Sequence, residues 1–221
     1  MKIEFVFDTA YPMSYVAFEK LKKYWNQKTT TQVELLPVQI LPETPEEGLN
    51  VYQSLTEKYG SKEADRKLDI AKFAAYSQDL VINLEHMKHM PNSNLAHQAI
   101  LALDNVLDQY ALTQAIFHAV FAHGKDIANQ AVLIDIIEGI GLDGRKVLRS
   151  IQHKEISDQQ VEIMKYVQSF GTHATPFYIV DGEVIDGEVW DQTFDTLVLQ
   201  KMLLEDSKSE GSKPENPKTI V

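Results

Sequence analysis

The sequence contains no cysteine. That absence removes disulfides, thiolate-bound metals, iron–sulfur clusters and every cysteine nucleophile from the chemistry open to the protein. Long apolar runs are missing too: nothing approaches the roughly 18 consecutive residues of a membrane-crossing helix. The opening segment, Lys2 to Asp8, alternates over a few residues and has neither a basic stretch nor an apolar block, so no signal peptide is expected and the chain is assigned to the cytoplasm. Basic residues are in deficit, 21 Lys and Arg against 32 Asp and Glu, for a formal charge of −11. Such a surface repels nucleic acid and anionic membranes, and neither is expected as a partner. What remains is ordinary globular material: 221 residues, 44% hydrophobic, enough for one large domain or a core with a sizeable insertion.

Ile3, Phe5 and Phe7 alternate along a strand from Lys2 to Phe7. Asp8-Thr9-Ala10-Tyr11-Pro12 follows, with proline suited to a helix's first turn because its missing N–H would be unpaired there anyway. Met13, Val16, Ala17, Leu21 and Tyr24 predict that this helix runs to about Trp25 with one buried face. A second strand is expected over Gln32 to Val38, making a right-handed βαβ unit with parallel strands. From Glu46 to about Ile151 the period is almost entirely helical. One face is held from Leu95 through Ala99, Leu103, Val106, Leu107 and Tyr110, and another by Val132, Leu133, Ile136, Ile137 and Ile140. After a helix around Val161, Met164 and Val167, a strand returns at Pro176 to Val180. Asp181-Gly182 is a hairpin signal leading into Glu183-Val184-Ile185. A last helix should carry Trp190, Phe194, Leu197, Val198 and Met202.

This order, βαβ, helical block, ββα, predicts an α/β thioredoxin fold with an inserted all-helical domain. The boundaries read 1–45 and 156–205 for the two parts of the thioredoxin-like domain, 46–155 for the insertion, and 206–221 for a polar, breaker-rich tail expected to be disordered.

The segment Tyr11-Pro12-Met13-Ser14, after a strand and Asp8, resembles the active-site segment of the DsbA-like family, which includes FrnE-type oxidoreductases, kappa-class glutathione transferases and 2-hydroxychromene-2-carboxylate isomerases. The oxidoreductases carry Cys-Pro-x-Cys there and the kappa transferases Ser-Pro-Tyr-Ser. Asn92-Ser93-x-x-Ala96-His97 is similar to the family's Asn-Thr-x-x-Ala-His, and Gly141-Leu142-Asp143 to its Gly-Leu-Asp turn. Gly171-Thr172-His173-Ala174-Thr175-Pro176-Phe177 is similar to the segment that holds its cis-proline. The resemblance implies a cis Thr175–Pro176 bond and a cleft between the two parts of the molecule.

It implies candidate catalytic residues Tyr11 and Ser14, and ligand-binding residues Thr175, Pro176, His97 and Asn92. Thiol–disulfide exchange needs a thiolate, and here the helix end is present without the sulfur. Two functions follow. One is a redox-inactive protein that binds a peptide, a partner or a small molecule in the cleft. The other is a glutathione-dependent transferase or isomerase in which Tyr11 or Ser14 stabilises the cosubstrate's thiolate. Against the second, Gly187 is followed by Glu188-Val189-Trp190 where glutathione-using relatives have a Ser-Asp-Arg-like run.

Each residue also has a plainer reading: Tyr11 packs over a vacated pocket, Ser14 is a small first-turn residue, and His97 and His173 are satisfied structural histidines. No cofactor beyond glutathione as cosubstrate is indicated. His86 and His89 have the spacing of two metal ligands, but no third ligand is indicated and no metal site is assigned. Gly139 to Gly144 formally matches GxGxxG, yet it follows a helical period rather than a strand and predicts a helix–turn–helix junction. The charged run Glu57-Lys58, Lys62-Glu63 and Asp65-Arg66-Lys67 reads as solvated surface.

Overall fold

The computed structural model describes residues 1–22, 32–171, 175–187, 195–198, 200 and 201. Strand β1 (Lys2–Phe7) leads into α1 (Pro12–Lys22), and β2 (Gln32–Pro37) pairs parallel to β1 in the register Lys2↔Gln32 to Phe7↔Pro37. The end of the first helix expected near Trp25, and the positions of His173, Trp190, Phe194, Met202 and the tail, lie outside the described residues.

The block that follows is helical, with one exception. It comprises β3 (Leu49–Asn50), α2 (Val51–Tyr59), α3 (Ser61–Tyr76), α4 (Leu84–Met87), β4 (His89–Met90), α5 (Asn94–Leu101), α6 (Val106–His123), α7 (Gln130–Gly139) and α8 (Gly144–Ser150). The exception is a two-residue antiparallel ladder, Leu49↔Met90 and Asn50↔His89, inside a stretch expected to be all helix. The single face expected from Leu95 to Tyr110 is likewise divided. Asn105 interrupts it by accepting the Leu107 N–H as the cap of α6, and Val106 and Leu107 are left exposed. The Gly139–Gly144 junction is a helix–turn–helix as expected, with Asp143 capping α8 through the Lys146 N–H.

Helix α9 (Lys154–Gln168) precedes β5 (Phe177–Val180) and β6 (Glu183–Asp186). The hairpin between them turns at Asp181 and Gly182, both with positive φ (48° and 87°), a turn that Gly takes without steric cost. Residues 195–198 are helical again, with Val198 fully buried. The sheet order is β2-β1-β5-β6, with β1 antiparallel to β5 and β5 to β6.

β1 is central and is covered on both faces. Ile3, Phe5 and Phe7 point into a cluster with Val16, Phe18 and Leu21 of α1, while Val6 points the other way to Leu36, Ile163, Val167 and Ile179. The larger cluster runs without interruption into the helical block, taking in Ile100, Leu112, Ile116, Phe117, Ile127 and Leu133. Aromatic rings mark the seam: Phe5 stacks on Phe7 at 4.9 Å, Phe7 meets Phe117 at 6.0 Å, and Tyr15 stacks on Phe117 at 5.2 Å. The insertion is therefore held to the sheet by shared core. No helix among the described residues is long and apolar enough to cross a membrane.

Candidate ligand-binding site

Strand β1 ends at Phe7, so the loop Asp8–Tyr11 and the first turn of α1 lie at the carboxyl end of the sheet, where open α/β folds place their ligands. Asp8 organises this loop. Its Oδ1 accepts the Ala10 N–H at 2.9 Å, its Oδ2 accepts the Ile40 N–H at 2.8 Å, and its own N–H is accepted by Ser14 Oγ at 3.1 Å. One carboxylate thus ties the end of β1, the start of α1 and the segment after β2 together.

His97, on α5, completes the anchor. Its Nε2 accepts the Thr9 N–H at 3.1 Å and lies 3.4 Å from Asp8 Oδ1. Nε2 serves Thr9 as an acceptor or Asp8 as a donor, according to where the ring carries its proton. Nδ1 is buried without a hydrogen-bond partner among the described residues, as are Thr9 Oγ1 and Thr175 Oγ1. Burial of Asp8 works to raise its pKa, but the His97 ring and the Ala10 and Ile40 N–H donors outweigh it and hold the carboxyl below its ordinary range.

Asn92 joins two other segments. Its Nδ2 donates to Thr44 O at 2.6 Å, while its Oδ1 accepts from Gln39 Nε2 at 3.2 Å and from the Asn94 N–H at 2.9 Å. The Thr175–Pro176 bond is cis, and both residues are buried where the chain enters β5. Gly187 lies against this turn. Its N–H donates to Pro176 O at 3.0 Å, and a Cβ there would stand 2.7 Å from that oxygen, so the approach needs glycine.

Above the loop is a cavity of about 460 Å³. The thioredoxin-like part contributes Tyr11, Pro12 and Met13 at the start of α1, with Ile40 and Leu41. The helical block contributes Val51 and Leu55 of α2, Lys67, Leu68 and Ala71 of α3, Met90 of β4 and Phe121 of α6. Of the six residues expected from the sequence, only Tyr11 lines it. Ser14 and His97 are fully buried and engaged beneath the loop, Asn92 ties Thr44 to Gln39, and Thr175 and Pro176 are not on the lining.

The sequence leads one to expect inserted helices over this edge, the His97 helix among them, but the wall comes from α2, α3, β4 and α6 and not from α5. Lys67 belongs to a charged run that reads as solvated face, and the apolar residues read as helix core. The only available signal was the position of α2 and α3 directly after the βαβ unit. Among the described residues no group of three or more His, Asp or Glu could hold a metal, and His86 and His89 have no third partner.

No curated protein matches the chain. Solved structures do. Over its full length the chain resembles the crystal structure of a probable DsbA oxidoreductase from Streptomyces coelicolor, with TM-score 0.74, 19% identity and 94% of that chain covered. It matches a 2-hydroxychromene-2-carboxylate isomerase with TM-score 0.68 and 15% identity, over 95% of this chain and 98% of the other. It matches the cytosolic disulfide reductase DsbM of Pseudomonas aeruginosa with TM-score 0.65 and 16% identity, over 93% and 99%. At such identities these likenesses establish the fold. A family model described as the DSBA-like thioredoxin domain matches residues 2–198, and the chain therefore belongs to that family.

Proposed function

We propose that this DsbA-like protein has left thiol–disulfide exchange and binds a small molecule in the cleft between the Tyr11 loop and the helical block, in the cytoplasm. The carrying observation is the cavity of about 460 Å³, set directly on the loop where oxidoreductase relatives hold their cysteines, in a chain without cysteine. Its volume falls in the usual range for small-molecule sites, about 300–1,000 Å³. In this reading Tyr11 faces the ligand. Ser14, His97 and Asn92 act as positioning residues, and Thr175 and Pro176 stay off the cavity wall, where the chain enters β5. The cytosolic reductase among the structural neighbours supports the location.

The test has two arms. Pure protein should reduce insulin no faster than the uncatalysed background; a faster rate would defeat the redox-inactive half of the reading. Fluorescence of a solvatochromic apolar probe should rise on binding, and Ala71→Phe, which intrudes on the cavity wall, should suppress that rise. An equal rise in the variant would remove this cavity as the site.

The second reading is a glutathione-dependent transferase or isomerase, favoured by the Pseudomonas neighbour solved with glutathione. Here Tyr11, rather than the buried Ser14, would donate to the cosubstrate's thiolate. Glutathione at 100 times its dissociation constant would stabilise the protein by about 2.7 kcal/mol. The first reading expects no rise in melting temperature with glutathione, and a clear rise would favour the second.

A further inference from the structure

We infer that the occupant of this cavity is an amphipathic carboxylate, with an apolar body packed among Met13, Leu55, Leu68, Ala71, Met90 and Phe121 and its acid group set toward Lys67. This inference rests on the cavity being a ligand site and adds the ligand's chemical class.

Charge is the first argument. In a chain with 11 more acidic than basic residues, no carboxylate lines the cavity; its ionisable groups are Lys67, His89 and Tyr11. A cavity formed without regard to charge in so acidic a protein should have met an Asp or Glu.

The second argument is how the carboxylates near Lys67 are engaged. Glu63, one turn back, is bound in a fork by Arg66 Nε at 2.8 Å and Nη2 at 2.6 Å, and Lys67 adds only a weaker, longer-range attraction to it. Asp65 accepts the Tyr52 hydroxyl at 3.0 Å, and Asp69 is absent from the lining. Lys67 makes no ion pair among the described residues, and its Nζ rests 5.2 Å from the centre of the Tyr59 ring. A lysine held over an aromatic ring keeps its charge while leaving its donors open. The first turn of α1, supplied by Pro12 and Met13, presents the positive end of a helix to the same space.

The third argument concerns the body of the ligand. Apart from the three ionisable side chains the lining is apolar, so uncharged polar groups on the body would lose hydration without finding partners. Met13 and Met90 bring unbranched, adaptable thioethers to the buried part of the wall, which suits a flexible chain.

The experiment is calorimetric titration of the full chain with straight-chain carboxylic acids from hexanoate to dodecanoate, and with the alcohols of equal length. Affinity should rise about fourfold per methylene until the cavity is filled. Each acid should bind about fivefold tighter than its alcohol, as befits an ion pair to an exposed lysine, and the preference should shrink at high salt. Lys67→Gln should abolish the preference without altering alcohol binding, and Lys67→Arg should retain it. Alcohols binding as tightly as acids, or an acid preference that survives Lys67→Gln, would overturn the carboxylate assignment while leaving the cavity a binding site. Absence of any binding across both series, with a cavity-dependent response to the apolar probe, would also overturn it. Absence of binding by series and probe alike would overturn the cavity reading itself.

Discussion

The loop from Asp8 to Met13 has neighbours of opposite character on its two sides. Beneath it, Asp8, Ser14 and His97 are fully buried and knit by hydrogen bonds into one polar cluster that reaches β1, α1, α5 and the segment after β2. Above it, the cavity is walled mostly by apolar side chains, with Lys67, which makes no ion pair among the described residues, on its lining. The polar side commits the Asp8 carboxylate, Ser14 Oγ and His97 Nε2 to backbone N–H groups, so the loop is held in one geometry. The apolar side leaves space and an uncommitted charge. A binding site needs both, because a rigid support lets the open face be shaped before any ligand arrives.

Breaking the lower cluster should have the largest effect. Asp8→Ala leaves the buried Ala10 N–H and the half-buried Ile40 N–H without their acceptor, and loss of one partner from a buried charged network costs about 3–5 kcal/mol. In a protein of this size that lowers the melting temperature by on the order of 10 °C. Calorimetry giving a change under 3 °C would show that the loop is held by something else.

Acid should act on the same residue. Its pKa in the folded state is depressed, so its contribution is complete above the ordinary carboxylate value near 4 and is lost as the pH falls through the lower, folded value. Urea midpoints should therefore drop below about pH 4 in the parent and drop less in Asp8→Asn, measured over the same window. Ser14→Ala comes next. It unpairs only the Asp8 N–H, for about 1–2 kcal/mol, or about 3–6 °C. A larger loss would mean that Ser14 holds more than that single bond.

How much of this could be read from the chain depends on range. Local signals were reliable: alternation at Ile3, Phe5 and Phe7, Pro12 at the start of α1, the Asp181-Gly182 turn, and the Gly139–Gly144 junction each act through neighbours a few residues away. The break between α5 and α6 was missed because its apolar period continues through Val106 and Leu107, while a single side-chain cap at Asn105 decides the matter. The β3–β4 ladder was missed because two residues carry no period at all. The family resemblance marked Ser14 as catalytic and Asn92 and His97 as ligand-binding, whereas in the structure all three bond to the protein's own backbone. His97 meets Thr9 across 88 positions, and Asn92 reaches Thr44 across 48, distances that no spacing rule covers. The cavity is the extreme case, since its walls come from α1, α2, α3, β4 and α6 and exist only once these have packed.

The smallest expected effect is the one that most sharpens the contrast between the two sides. Lys67 is exposed, has no ion pair among the described residues, and lies over the Tyr59 ring, with a longer-range attraction to Glu63. Its substitution removes no buried bond and opens no hole, and surface changes of this kind rarely move stability by much. Lys67→Gln should therefore shift the melting temperature by less than about 2 °C in the ligand-free protein, in contrast to the change at Asp8 on the opposite side of the same loop. Differential scanning calorimetry in parallel with Asp8→Ala makes the comparison directly. A drop of 5 °C or more would show that the lysine is committed to holding α3 in place. The charge at the cavity margin would then be structural, and the contrast between a spent side and an open side would fail.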